Sequence, residues 1–308
     1  MSTDTPDRAP LFEDALLAAR RDRAEALGFA GGGDFLHREV AELVRERLDE
    51  VTRDFRDAAI IGSGGGVHAA ALAGRAEQVM QIELSGLRAA RAGAVQVRHL
   101  DPMPFGVATL DLCLSMLEMH WANDPVGHLI QMRRALRPDG LMIAALFGGQ
   151  TLIELRTALT EAEVEMTGGL SPRVAPMAEI RDLGGLLQRA GFAMPVADAE
   201  RLDVSYADIR ALMRDLRAMG ETNILTDRRR VPMTRGVLDR AAAIYTDRFS
   251  DGNGRIRAQF EVVFLTGWAP GPDQPQPRRP GSASHRLADA LGAEEVSAGE
   301  PTGPKRGG

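Results

Sequence analysis

The sequence predicts an α/β fold built on a doubly wound parallel sheet, and three observations carry that expectation. An apolar run at 58–61 leads straight into Gly62-Ser63-Gly64-Gly65-Gly66 and then into an alanine-rich helical pattern through Ala73, the order of a strand, a tight turn and a helix start. A second apolar run, 79–82, ends in the carboxylate of Glu83. Further apolar runs at 95–97, 110–114 and 141–147 alternate with helical patterns at 68–73, 84–92 and 125–136. Alternation of this kind builds parallel strands that present ligands with their carboxyl ends.

The remaining elements follow from periodicity and punctuation. Apolar residues at helical spacing over 12–27 and 34–51, separated by Gly31-Gly32-Gly33, predict two N-terminal helices, the second with Asp34 at its N-cap. Asn123-Asp124 caps the helix that begins at Pro125. Arg137-Pro138-Asp139-Gly140 fits a type I turn. Beyond Gly149 come helices at 151–167, at 178–190 with Gly191 as its stop, at 206–219 and at 234–249. An alternating stretch at 255–265 predicts a late edge or antiparallel strand, which makes the last two helices an insertion near the end of the sheet, over the pocket. From 269 the chain is rich in Pro, Gly, Ser and Arg and predicts disorder, with a turn of helix at 287–291. The expected organisation is therefore N-terminal helices at 1–57, a cofactor-binding core at 58–150, the rest of the sheet with its insertion at 151–268, and a tail at 269–308.

Composition narrows the chemistry. The 308 residues carry a formal charge of -6, with arginines interspersed among acids rather than gathered in a stripe, which argues against nucleic acid as a partner. Lys305, in the tail, is the sole lysine, so Schiff-base chemistry and a P-loop lysine are excluded from the folded part. Cys113 is the single cysteine and sits in an apolar run, as a small buried hydrophobe does. An acidic N-terminus without an apolar core, and no apolar run of the roughly 20 residues a bilayer requires, lead us to expect a soluble cytoplasmic protein with no membrane span.

The glycine cluster needs bare backbone because a side chain at Gly64 or Gly66 would push a nucleoside away, and Glu83 is placed to accept hydrogen bonds from both ribose hydroxyls. Val67 stands where a dinucleotide turn has its third glycine. That spacing favours S-adenosylmethionine over NAD. Methyl transfer from a sulfonium needs alignment, a dry pocket and a deprotonated nucleophile. His120 and Trp121 lie just past the fourth strand, where the methyl donor would be. His120 suits a base or substrate contact and Trp121 a cover for the cofactor, the alternative being that both pack the strand end. His37 and Glu39 form an H-x-E pair, but residues two apart on a helix diverge, and His68, His128 and His285 have no ligand spacing, so no metal is expected.

As a set, Asp34-Phe35-Leu36, the segment from Leu117 through His120-Trp121 to Asp124, Leu146-Phe147-Gly148-Gly149-Gln150-Thr151-Leu152, Gly169-Leu170-Ser171-Pro172, Met219-Gly220-Glu221-Thr222-Asn223 and Gly267-Trp268 resemble class I S-adenosylmethionine-dependent methyltransferases. Within that superfamily they look most like the bacterial relatives of a mitochondrial respiratory complex I assembly factor described as a methyltransferase-like arginine hydroxylase. The resemblance implies a Rossmann-like seven-stranded sheet and S-adenosylmethionine held by Gly62, Ser63, Gly64, Gly66, Glu83, Asp101 and Ser115. It also implies a protein substrate, an arginine of a quinone-module subunit of complex I, and a hydroxylated product. A guanidinium needs carboxylates, and Glu118, Asp124, Glu154 and Glu221 are candidates by position, each with a solvated helix face as the alternative. A weaker likeness is to malonyl carrier-protein O-methyltransferases, which implies carboxyl methylation.

Two positions depart from the family pattern. Ile60 stands where an acid commonly precedes the first glycine by two residues, and His99 matches the aspartate that holds the adenine amino group, with Asp101 two residues out of register. Losing one charge-assisted hydrogen bond costs about 1.5–3 kcal/mol, one or two orders of magnitude in affinity. The departures motivate an alternative, a catalytically silent assembly chaperone that keeps the fold.

Overall fold

Strand β4 (Leu110–Met116) is buried along its whole length, as an unbroken apolar run must be when a sheet is covered on both faces. It sits in the middle of a seven-stranded sheet whose order is β3-β2-β1-β4-β5-β7-β6. The computed structural model describes residues 9–29, 32–99, 102–272 and 274. Every strand and helix named below lies within the single unit Met1–Gly271.

The strands are β1 (Phe55–Ile61), β2 (Ala76–Glu83), β3 (Val95–Gln96), β4, β5 (Leu136–Phe147), β6 (Ala193–Tyr206) and β7 (Ile256–Trp268). The first five run parallel, and β7 is antiparallel to both β5 and β6. Side chains alternate between faces. Ala58 and Ile60 of β1, Leu112 and Leu114 of β4, and Ile143 and Ala145 of β5 point to one layer, with helices α2 (Phe35–Asp49), α5 (Ile153–Thr167), α7 (Ile209–Met219) and α8 (Arg235–Phe249). Ala59, Ile61, Cys113, Met142 and Ala144 point to the other, with α1 (Asp14–Ala26), α4 (Pro125–Ala135) and α6 (Ile180–Ala190). Ile60 is thereby a core residue, packed in the layer that holds Val40 and Val44 of α2. Cys113 is fully buried in the other layer.

Side-chain caps start several helices where the sequence places them. Ser85 caps α3 (Gly86–Ala92), Asp124 caps α4, Asp208 caps α7 and Thr234 caps α8, each worth about 1 kcal/mol. Asp34 stands at the α2 N-cap position but makes no cap bond. Its carboxylate pairs instead with Arg38 one turn on. Asn123 does not cap either, and its amide clasps the backbone of Phe12 in both directions, at 2.9 and 3.1 Å.

Two further expectations are corrected, one is settled between its alternatives, and one strand is added. The helix at 68–73 is a run of 3₁₀ turns over Gly64–Leu72. Arg137-Pro138-Asp139-Gly140 is a bulge inside β5, where Leu110 pairs with Leu136 but Leu112 with Leu141, and Asp139 takes a φ of 61°. The late strand is antiparallel, one of the two alternatives expected, and it is interior rather than at an edge, lying between β5 and β6. The edge strand is β6, exposed along most of its 14 residues. The helices α7 and α8 do form an insertion between β6 and β7. Among the described residues, no helix is long and apolar enough to cross a membrane. The helix turn at 287–291, His285 and Lys305 lie outside the described residues.

Glu163 of α5 fastens the loop that follows it, accepting from the Ser171 amide at 3.0 Å, the Ser171 hydroxyl at 2.7 Å and Arg173 at 2.7 Å. Burial pushes its carboxyl up, but the Arg173 and Ser171 bonds prevail and hold it at about 2. The folded value lies below the ordinary 4.5, so the stabilisation is present above pH 4.5 and is lost as pH falls through 2. Glu163→Gln is expected to lower the unfolding free energy by about 2–3 kcal/mol at neutral pH. In urea titrations the gap to the wild type should close across that window, and a gap independent of pH would refute the assignment.

Candidate cofactor and active site

The strand order reverses between β1 and β4, β2 and β3 lying to one side of β1 and the later strands to the other. A crevice opens at the carboxyl ends of strands at such a switch point. The turn after β1, the end of β2 and the turn after β4 all meet there.

The glycine turn is held from below. His68 donates from Nδ1 to the Gly62 carbonyl at 2.6 Å, and its Nε2 accepts from His37 Nδ1 at 2.9 Å. Both rings are buried and lie stacked, and burial pushes both below the usual imidazole value, His68 to about 4. They are neutral at physiological pH, which fixes one acceptor and one donor on each. The His68 ring also fills the space beside Gly64, where a Cβ would approach it to 3.0 Å. The closest approach from above is at Gly62. Its φ is 81°, and a Cβ there would fall 2.4 Å from Glu118 Cγ and 2.6 Å from the Met116 carbonyl. Only glycine meets both demands.

Glu83 ends β2 with 1% exposure. One oxygen accepts from the amides of Leu84 (3.0 Å) and Ser85 (3.2 Å), and the other from the Ser63 hydroxyl at 3.0 Å. Ser63 in turn accepts from the Gly65 amide, so it ties the glycine turn to the β2 carboxylate.

The third contribution comes from the end of β4. Leu117, fully buried, takes a φ of 54°, a conformation unfavourable for a branched residue and of the kind that clusters at functional sites. The bend turns the chain into a 3₁₀ turn, Met119–Trp121. Glu118, His120 and Trp121 all project into the crevice region and all are buried. Glu221, delivered by the turn at Gly220 that ends α7, accepts from Trp121 Nε1 at 2.7 Å and from His120 Nε2 at 3.3 Å. The His120 ring lies between Trp121 and Phe147, and burial pushes its pKa down against the pull of Glu221.

One guanidinium joins these carboxylates. Arg21 of α1 has no exposed side-chain surface and reaches Glu118 Oε1, Glu221 Oε1 at 3.2 Å, Glu83 Oε1 at 3.7 Å and the Leu117 carbonyl at 3.2 Å. Burial pushes the Glu118 carboxyl up to about 8, with Glu83 and Glu221 adding to the rise and Arg21 opposing it. Burial also raises Glu221, but there Arg21 and His120 win and hold it well below the carboxylate range. Three acids around one base cannot all ionise cheaply, and between Glu118 and Glu221 it is Glu118 that keeps a proton more readily.

The structure therefore brings together Gly62, Ser63, Gly64, Glu83, His120 and Trp121. Gly66 lies at the outer end of the turn, on Ala92 of α3 and beside a cleft of about 320 Å³ between Arg38 and Arg91. Ser115 lies one layer down, its hydroxyl 3.2 Å from His128 Nε2 of α4. Asp101 lies outside the described residues. His99 is exposed and pairs with Asp14 of α1 at 3.0 Å. Of the four candidate guanidinium acids, Glu118 and Glu221 converge on Arg21, whereas Asp124 caps α4 and Glu154 accepts from the Gln259 amide. Glu39 is exposed, away from the His37 and His68 pair, and no cluster of three metal-ligating side chains occurs among the described residues. The residue types suit an adenosyl cofactor, with a backbone-lined turn and a carboxylate at the end of β2. In this conformation Glu118 lies across the inner face of that turn.

Comparison with known proteins bears on the site's chemistry. A methyltransferase-domain family model matches residues 60–144. The chain is 35% identical over 286 residues to the Danio rerio protein named arginine-hydroxylase NDUFAF5, mitochondrial, a match spanning 91% of this chain and 89% of that one. It is also 35% identical over 254 residues to a malonyl-[acyl-carrier protein] O-methyltransferase of Laribacter hongkongensis, spanning 76% of this chain and 83% of the other. Among solved structures, that of the [4+2]-cyclase SpnF aligns with a TM-score of 0.54 at 17% identity, over 85% of this chain and 98% of its own. That likeness speaks for the fold alone.

Two substitutions separate backbone strain from crowding at the turn. Gly74 has a φ of 75° with nothing within 4 Å of a Cβ, so Gly74→Ala is expected to cost about 1–2 kcal/mol. Gly62→Ala carries the same backbone penalty plus the overlap with Glu118 and Met116, for a loss of about 3 kcal/mol or more. Urea unfolding followed by tryptophan fluorescence measures both, and equal losses would show that Glu118 does not press on the turn.

Proposed function

Because the chain belongs to the class I S-adenosylmethionine-dependent methyltransferase superfamily, in the family of the NDUFAF5 arginine-hydroxylases, we propose that it binds S-adenosylmethionine at the β1–β4 switch point. We propose further that it modifies a protein arginine during assembly of respiratory complex I. The observation that carries this reading is the union of the glycine turn with Glu83 through Ser63 at the strand ends. Glu83 is the ribose acceptor and the backbone from Gly62 to Gly64 the nucleoside rest. When bound, the cofactor supplies an electrophilic methyl group on a sulfonium centre. His120, kept neutral by burial and donating from Nε2 to Glu221, has Nδ1 as its basic nitrogen, which would take a proton from an incoming nucleophile in exchange for its long 3.5 Å bond from the Phe147 amide, and Trp121 walls the site from water. The seating of the Arg21 guanidinium between Glu118 and Glu221 supports these two acids as arginine-recognising groups.

A second reading, a catalytically silent assembly chaperone, draws on the same geometry, because Glu118 and Arg21 take up the space against the turn. Calorimetric titration with S-adenosylmethionine decides between them. Micromolar binding, weakened at least tenfold in Glu83→Gln that remains folded by circular dichroism, is expected from a working cofactor site. No heat at millimolar ligand would leave the chaperone. Mass spectrometry of an acceptor subunit after incubation then distinguishes an added methyl group from an added oxygen at arginine. A methyl ester on malonyl carrier protein would instead place the chain with the O-methyltransferases.

A further inference from the structure

Helix α1 buries three residues, Leu17, Arg21 and Ala24, spaced as one helical stripe, and the residue at the centre of that stripe is an arginine. Around the stripe, α1 is fastened by polar contacts. Asp14 meets His99, Arg20 meets the Thr222 hydroxyl and the Asn223 carbonyl, Asp22 meets the Ser85 hydroxyl and the Leu87 amide, and Glu25 meets Arg91. Contacts of this type trade readily for water, whereas a wide apolar stripe does not. Helix α1 is thus held in good part by polar contacts, and its central charge pairs with Glu118 and Glu221 and lies 3.7 Å from Glu83, the carboxylate assigned above to the ribose.

The chamber that Arg21 fills is lined by Glu83, Glu118 and Glu221 together with the Leu117 carbonyl. Without Arg21 the three acids would be left with buried Arg88, which acts on them at longer range while it donates to the Met219 carbonyl and stacks on Phe29. A cation in the place of Arg21 is therefore favoured, the alternative being that the acids take up protons. S-adenosylmethionine carries a sulfonium, an ammonium and a carboxylate, and is a net monocation. Glu118, bound to Arg21, is the side chain that lies across Gly62, where the nucleoside would rest. Arg21 and the cofactor contend for the same carboxylates and the same space.

We propose that α1 is an intramolecular gate, in which Arg21 occupies the acidic chamber in place of the cationic cofactor and withdraws, releasing Glu118 from Gly62, when S-adenosylmethionine enters. The inference rests on the cofactor reading above. Hydrogen exchange of the full wild-type chain, with and without saturating S-adenosylmethionine, tests it alongside calorimetry of Arg21→Gln. Amides of α1 are expected to exchange at least tenfold faster with the cofactor bound while those of β4 stay protected. Arg21→Gln is expected to bind at least tenfold more tightly than wild type, and binding by the variant alone would also support the gate. Should the variant fail to fold, wild-type exchange decides by itself. Binding that leaves α1 exchange unchanged or slower overturns the gate but leaves the cofactor reading standing. No binding by either protein overturns both.

Discussion

The buried guanidinium of Arg21 is the group on which the arrangement of the crevice depends. It links α1, the end of β2, the bend after β4 and the end of α7, four segments drawn from residues 14 to 221. A buried ion pair adds little net stability against an apolar substitute, since desolvation offsets most of the attraction. Its effect is on placement. With three acids already fixed by strand ends and a helix stop, a base must stand among them, and α1 takes its position from that requirement more than from its two buried apolar residues.

A second polar network lies directly beneath and works without charge. His37, His68 and the Gly62 carbonyl form a chain of neutral hydrogen bonds, made neutral by the same burial that makes ionisation costly. The glycine turn thus rests on groups whose bonding does not change over the ordinary pH range, while the carboxylates facing it above are electrostatically coupled. The two layers divide the work, the lower setting geometry and the upper setting which charges the crevice tolerates.

Much of the architecture was legible from the chain. The glycine run after 58–61, the acid closing 79–82 and the alternation of strand and helix led to the five parallel strands β1 to β5, because parallel strands buried on both faces leave unbroken apolar runs, whereas the count of seven came from the family resemblance. Strand β6 escaped notice because it is an edge strand exposed along most of its length, has Pro195 near its start, and confines its alternation to Leu202, Val204 and Tyr206, just before a helical pattern. The bulge at Pro138-Asp139-Gly140 has the composition of a turn, and only the register with β4 reveals that the strand continues through it. In the crevice, Glu83, His120 and Trp121 were visible from their places after apolar runs. Arg21 was not, since an arginine in an arginine-rich amphipathic helix reads as surface until the partners across the fold are known. A stripe of Leu17, Arg21 and Ala24 is the one local sign of it. Likewise His37 and His68 are 31 residues apart, and no spacing rule connects a helix with the turn beneath a strand end.

The position of β7 has a consequence for how the chain reaches this state. Leu141 of β5 pairs with Trp268, so the central sheet is extended past β5 only by residues made more than a hundred positions later. Closing so long a loop costs chain entropy before any contact repays it, and non-local pairings of this sort slow folding. During synthesis the strands up to β5 are able to assemble while α5, α6 and β6 emerge, but β6 has nothing to pair with until β7 arrives to lie between them. Until then β5 presents an open parallel edge of apolar residues, the kind of surface to which other chains add. The half of the sheet that bears the glycine turn and Glu83 therefore passes through an interval with its flank uncovered, and the arrival of β7 ends it.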